Sequence, residues 1–184
     1  MDYGVFVFGK YIGHGFLAVV GFKENVGGAA AVLLATAALA TAPRPLGHLA
    51  ILATLPLFRR QIVWTRFEPS FVASSAVAYL GAFLLDFFFV GIPRETPPWW
   101  QVVVLAPLAE ELVFRALAFA FLTPPLAWIF AVVIFGVLHP ANPLVASLYG
   151  ASLAFMYRGG GYVAAAALHA FNNVLWLALA AGLL

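Results

Sequence analysis

The sequence predicts an all-α fold, a polytopic transmembrane helical bundle of seven or eight helices. Three observations predict it. Hydrophobic residues make up 65% of the 184 residues and charged residues only 9%, where a typical soluble domain has about 25% charged. So few charges cannot make a polar surface, so lipid is the expected solvent for most of it. The apolar residues fall into separate runs, several of them near the roughly 20 residues that cross a bilayer as a helix. These runs lack the period-2 alternation of membrane barrel strands.

The elements follow in order. The first apolar stretch, Val5–Phe22, contains Lys10 and His14 and has no basic segment before it, so it reads as a mature spanning helix. The second, Ala29–Thr41, stops at Pro43-Arg44-Pro45, and the third, Leu46–Phe58, ends at Arg59-Arg60. Both are short, which suits either a helical hairpin or one broken span. The stretch Arg59–Ser70 mixes arginines with Trp64 and Phe67 and resembles an amphipathic piece at the membrane interface. The fourth segment is Phe71–Ile92. After the Pro93–Pro98 loop, Trp99 and Trp100 look like interface anchors for the fifth, Trp99–Leu122. Pro124-Pro125 precedes the sixth, Leu126–His139. Pro140 and Pro143 bracket a turn into the seventh, Leu144–Tyr157, and the Arg158–Gly161 turn leads to the eighth, Tyr162–Leu183.

The loops are too short to hold a second domain, so residues 1–184 read as a single integral membrane domain. With eight helices, loop arginines and lysines favour both termini outside the cytoplasm. The formal net charge is +2 and there is no basic stripe, which gives no case for nucleic acid. The chain has no cysteine, which excludes disulfides, thiolate metal sites and cysteine nucleophiles.

Chemistry concentrates where charge is most costly. Glu110, Glu111 and Arg115 fall within six positions in the fifth segment. A charge at a helix centre costs about 2.5–3.5 kcal/mol, so three facing lipid would cost on the order of 7–10 kcal/mol. They must face the bundle interior. Glu111 and Arg115 are four apart, acid first, and stack on one helix face. Glu110 points about 100° away and lacks a local partner. Glu111–Arg115 therefore reads mainly as a structural pair, with Glu110 free for chemistry. The alternative is an ion network that holds helices together without a reaction. Pro107 is expected to kink the helix, either for packing alone or to open space for water beside Glu110.

His139 precedes Pro140 and so sits at a helix C-terminus, with Phe135 on its face. Asn173 lies four residues beyond His169 on a shared face, and Asn172 flanks it. Adjacent asparagines resist helix formation and cost desolvation. They serve either as interhelical hydrogen-bond glue or as donors aimed at a reacting oxygen. Lys10, His14 and Asp86 are further embedded polar residues, read as structural, with Asp86 able to pair with a buried base.

Glu110-Glu111-Leu112-Val113-Phe114-Arg115, Phe135-Gly136-Val137-Leu138-His139 and His169-Ala170-Phe171-Asn172-Asn173 occur in that order on separate apolar segments. This order resembles the CPBP family, which comprises the type II CAAX prenyl proteases and relatives linked to bacteriocin processing or immunity. The resemblance covers about residues 99–183, the motif-bearing core. It implies an intramembrane glutamate protease in which Glu110 and His139 activate water for peptide-bond hydrolysis. His169 and Asn173 would stabilise the oxyanion, with Glu111 and Arg115 in support, and no cofactor would be needed. It further implies an integral protein of a prokaryotic cell membrane, with lipid as a partner. The substrate would be a protein or peptide, with a prenylated C-terminal CAAX end as a family-level option. Two alternatives stand beside it. One is a zinc metalloprotease using Glu110, His139 and His169, and the other a non-catalytic immunity or binding protein that keeps the motif for structure.

Overall fold

The computed structural model describes residues 26–92 and 97–183. The expected first span, with Lys10 and His14, lies outside the described residues, as does most of the Pro93–Pro98 loop. The described residues form an all-helical fold of six runs. These are α1 (Val26–Thr41), α2 (Leu46–Phe58), α3 (Pro69–Val90), α4 (residues 99–121), α5 (Pro124–Val137) and α6 (Pro143–Ala180). The expectation of seven or eight included Val5–Phe22 and divided residues 143–180 in two.

Prolines set several of these boundaries. Pro69, Pro124 and Pro143 open their helices, at positions where a missing N–H costs nothing. Asn142 caps α6, its side-chain oxygen accepting from the Val145 N–H at 3.4 Å. Within α2 the chain bends at Thr54, just before Pro56.

The run α6 is not one straight rod. Gly161 has φ +82°, outside helical geometry. The Trp176 indole N–H reaches the Tyr149 hydroxyl, 27 positions away, at 3.4 Å. A straight helix would separate these residues by roughly 40 Å. The chain therefore doubles back at Gly161 into two antiparallel arms, residues 143–160 and 162–180.

The stretch after Arg59, expected as an amphipathic piece at the interface, is mostly not helical. Residues 62–68 have no regular secondary structure and lie along the Gly161 break. Glu68 N–H donates to the Gly159 carbonyl at 2.8 Å and Arg66 N–H to Gly160 at 3.2 Å. In return, Tyr162 N–H donates to the Val63 carbonyl at 2.8 Å and Val163 N–H to Trp64 at 3.1 Å. A broken helix exposes backbone groups that lipid cannot satisfy, and this strip satisfies them. Any side chain at position 161 would place its Cβ 2.8 Å from the Val63 and Trp64 carbonyl oxygens.

The centre is α4. Leu112, Val113, Ala116 and Leu117 are all buried, enclosed by α1, α5 and α6. Ser75 of α3 and Ser152 of α6 join their helices by reciprocal bonds, each hydroxyl donating to the other's carbonyl, at 2.8 and 3.0 Å. Large apolar side chains point outward, with Phe89 82% and Leu144 81% exposed. Two runs, Pro69–Val90 and Pro143–Ala180, are long and apolar enough to cross a membrane.

Candidate active site

The site is built on irregularities in α4. Residues 101–105 form a π-turn, in which the Ala106 N–H bonds to the Gln101 carbonyl. Continuing that pattern, the Val102 carbonyl would accept from residue 107. Pro107 has no N–H to give. The Asn173 side-chain amide donates there instead, at 2.6 Å. Pro107 thus leaves an acceptor that ties Asn173 to α4. A second π segment, Leu112–Leu117, follows Glu111 directly. Such bulges recur at functional sites.

Glu111 and Arg115 are both fully buried and meet at 3.0 Å. Arg115 also donates to the Ala131 carbonyl of α5 at 3.3 Å and to the Gly150 carbonyl of α6 at 3.2 Å. Its guanidinium lies 4.3 Å from the centre of the Phe135 ring. One arginine therefore ties three helices together. The same Glu111 oxygen accepts from His169 Nδ1 at 2.9 Å, which turns Nε2 of that ring toward Glu110.

Glu110 faces a different way, as the 100° rotation between neighbours requires. Its Oε2 lies 3.8 Å from His139 Nε2 and 3.9 Å from His169 Nε2. The other oxygen, Oε1, lies 3.6 Å from His48 Nε2. His139 follows the end of α5, and its Nδ1 sits 2.7 Å from the Phe135 carbonyl. A carbonyl only accepts, so Nδ1 carries a proton there, and in the neutral form of the ring Nε2 is an acceptor. The Phe135 ring lies 4.5 Å from the His139 ring centre and 6.0 Å from that of His169, and also packs against the Arg115 guanidinium.

Glu110, His139, His169 and Asn173 line one cavity of about 250 Å³, which also reaches Val102 and Ala106. Val102, Ala106 and Glu110 are successive turns of one α4 face. The space suffices for several waters, at about 30 Å³ each. Glu110 Oε2 is itself buried with no hydrogen-bond partner, and a water bonded at about 2.8 Å to both it and His139 Nε2 would lie about 2 Å off the line joining them. A carboxylate and an imidazole set this close are the residue types that general acid–base chemistry uses.

The other embedded residues fall elsewhere. Asn172 points to the Tyr79 hydroxyl, which donates to it at 3.4 Å, and its own amide donates to Asn173 at 3.4 Å. Asp86 lies against the Tyr149 hydroxyl rather than a buried base. Among the described residues, no three or more His, Asp and Glu side chains are arranged to hold a metal ion. The sequence reading passed over His48, which is 5% exposed and touches Glu110. Its signal was present, a single ionisable residue in the apolar segment Leu46–Phe58.

Residues 92–175 match the family model described as type II CAAX prenyl endopeptidase Rce1-like, and this match supports the CPBP/CAAX protease family for the chain. That is a family of membrane proteases. The matched stretch contains all three motifs. No curated protein and no solved structure matches the chain.

Proposed function

We propose that this chain is an integral membrane endopeptidase of the CPBP/CAAX type. In this reading Glu110 and His139 activate water, His169 and Asn173 stabilise the oxyanion, and Glu111 with Arg115 holds the set in place. The observation that carries the reading is the convergence of Glu110 Oε2 with the Nε2 atoms of His139 and His169, at 3.8 and 3.9 Å, on a cavity that Asn173 also lines.

The chemistry follows from the tautomers. A water between Glu110 Oε2 and His139 Nε2 donates one hydrogen to each, leaving its lone pairs for a peptide carbonyl carbon. As the C–O bond forms, Glu110 takes the proton and the carbonyl oxygen becomes an oxyanion. His169 can donate to that oxygen from Nε2 once its ring carries both protons, with the Glu111 carboxylate on Nδ1 as counter-charge. Asn173 has one amide hydrogen engaged by Val102 and a second to offer. Collapse breaks the C–N bond, and the proton held by Glu110 passes to the departing amine.

The test is cleavage by detergent-purified protein of quenched peptides ending in a Cys-a-a-X sequence, prenylated and unprenylated. Glu110→Gln is expected to lower kcat by about 100-fold to 10,000-fold while the protein stays folded. Glu111→Gln is expected to lose activity and thermal stability together, because that carboxylate serves both Arg115 and His169. Full cleavage by Glu110→Gln, or cleavage of neither peptide by the wild type, overturns the peptidase reading. Activity is expected to survive chelators. Stoichiometric zinc with complete loss on chelation would replace this mechanism with the metalloprotease one.

A further inference from the structure

We infer that His48 is a positioning residue for Glu110, fixing the carboxylate from the side opposite the motif histidines. The inference rests on Glu110 being the water-activating group, and it adds a residue from outside the stretch that matches the family model.

The two oxygens of Glu110 have different surroundings. Oε2 faces His139 and His169. Oε1 faces His48 Nε2 at 3.6 Å. His48 is 5% exposed, and its Nδ1 is buried with no hydrogen-bond partner. A neutral imidazole has one N–H to place. On Nδ1 the hydrogen would be stranded, and the bare Nε2 lone pair would face a carboxylate oxygen. On Nε2 it points at the Glu110 carboxylate 3.6 Å away, where a small shortening would make a charge-assisted bond, the stronger kind. The proton therefore belongs on Nε2, and the bond closes from 3.6 Å as the site tightens around substrate.

The fold places this ring deliberately close. Gly47 lets α2 approach α1, where a Cβ would stand only 3.2 Å from the Ala38 carbonyl oxygen. The next residue, His48, is thereby held against α4. A separate cavity of about 140 Å³ connects His48, Glu110 and His139 on this side. The final torsion of a glutamate side chain is soft and broad. With a donor on Oε1 the carboxylate plane is set, and Oε2, buried and without a hydrogen-bond partner, stays turned toward His139 and His169. Without it the carboxylate can rotate, and a misplacement near 1 Å costs on the order of 100-fold in rate.

The reach of the donor provides the test. Glutamine at position 48 can place its amide nitrogen near the position of His48 Nε2, whereas asparagine reaches only as far as Nδ1. With the quenched peptides above, His48→Ala and His48→Asn are expected to lower kcat by about 10- to 100-fold with KM little changed. His48→Gln is expected to recover most of the loss. The chain has four histidines, so nitrogen NMR of the histidine-labelled protein in micelles gives a readout independent of turnover. It should find His48 protonated at Nε2, with that signal moving in Glu110→Gln. Wild-type kcat in His48→Ala, a folded His48→Gln no better than His48→Asn, or a proton on Nδ1 of His48 overturns the inference. Cleavage retained by Glu110→Gln would instead sink the catalytic reading beneath it, and the NMR signal would still decide whether His48 bonds Glu110.

Discussion

Glu110 and Glu111 are adjacent, chemically identical and both buried, yet their surroundings divide them. Glu111 meets a cation and an imidazole N–H on one oxygen. Glu110 meets three imidazoles and a cavity. Desolvating a carboxylate is costly unless it is paired, so Glu111 reads as a permanent fixture and Glu110 as a group kept for a passing partner. Arg115 carries the consequence for stability. Arg115→Ala would leave Glu111 buried without its cation and strip donors from the Ala131 and Gly150 carbonyls. Breaking one partner of a buried pair costs about 3–5 kcal/mol. Thermal unfolding in detergent, followed by the fluorescence of the five tryptophans, should show a large drop in Tm. The double variant Glu111→Gln with Arg115→Met should recover part of it, because no lone charge remains. A single variant as stable as wild type would show that the pair is dispensable.

At the scale of elements, departures from regular helix do the positioning. The π-turn over residues 101–105 and Pro107 together leave the Val102 carbonyl for Asn173. Pro107→Ala restores an N–H that competes for this carbonyl. The helix itself should be no less stable, since alanine is the better helix former. Asn173 loses its tether, so kcat is expected to fall several-fold while Tm holds or rises. An unchanged kcat would mean that the tether does not orient Asn173 for the reaction. The Gly161 break works similarly. It folds one 38-residue apolar run back on itself, and so brings His169 and Asn173 beside α4.

At the scale of the molecule, polarity is inverted relative to a soluble protein. Phe88, Phe89 and Leu144 are exposed, while Glu111, Arg115 and His169 are buried. An exterior of this kind calls for lipid. Expressed in cells, the chain is expected to stay in the membrane pellet through alkaline carbonate extraction and to need detergent for release. Recovery as a monodisperse species without detergent would overturn the membrane reading. In the proposed reaction, water would reach Glu110 through the cavity of about 250 Å³, which has room for it.

Much of this was readable before any coordinates. Composition, with the lengths of the apolar runs and their lack of period-2 alternation, pointed to the all-helical class, and Pro124-Pro125 and Pro143 stood just before two of the segments. The four-residue spacing of Glu111 and Arg115 foretold their pairing, because rotation per residue is a local property of the helix. The same rotation set Glu110 apart from Glu111. Other features were out of reach. The role of residues 62–68 depends on where the Gly161 break falls in space, some 100 residues later. Asn173 tethered to Val102 depends on a π-turn that periodicity does not encode. The contact of His48 with Glu110 depends on how closely two helices pack. Local rules determine which groups a segment carries and which way they point. Only the packing of segments distant in the chain decides which of those groups meet, and so which histidines each oxygen of Glu110 faces.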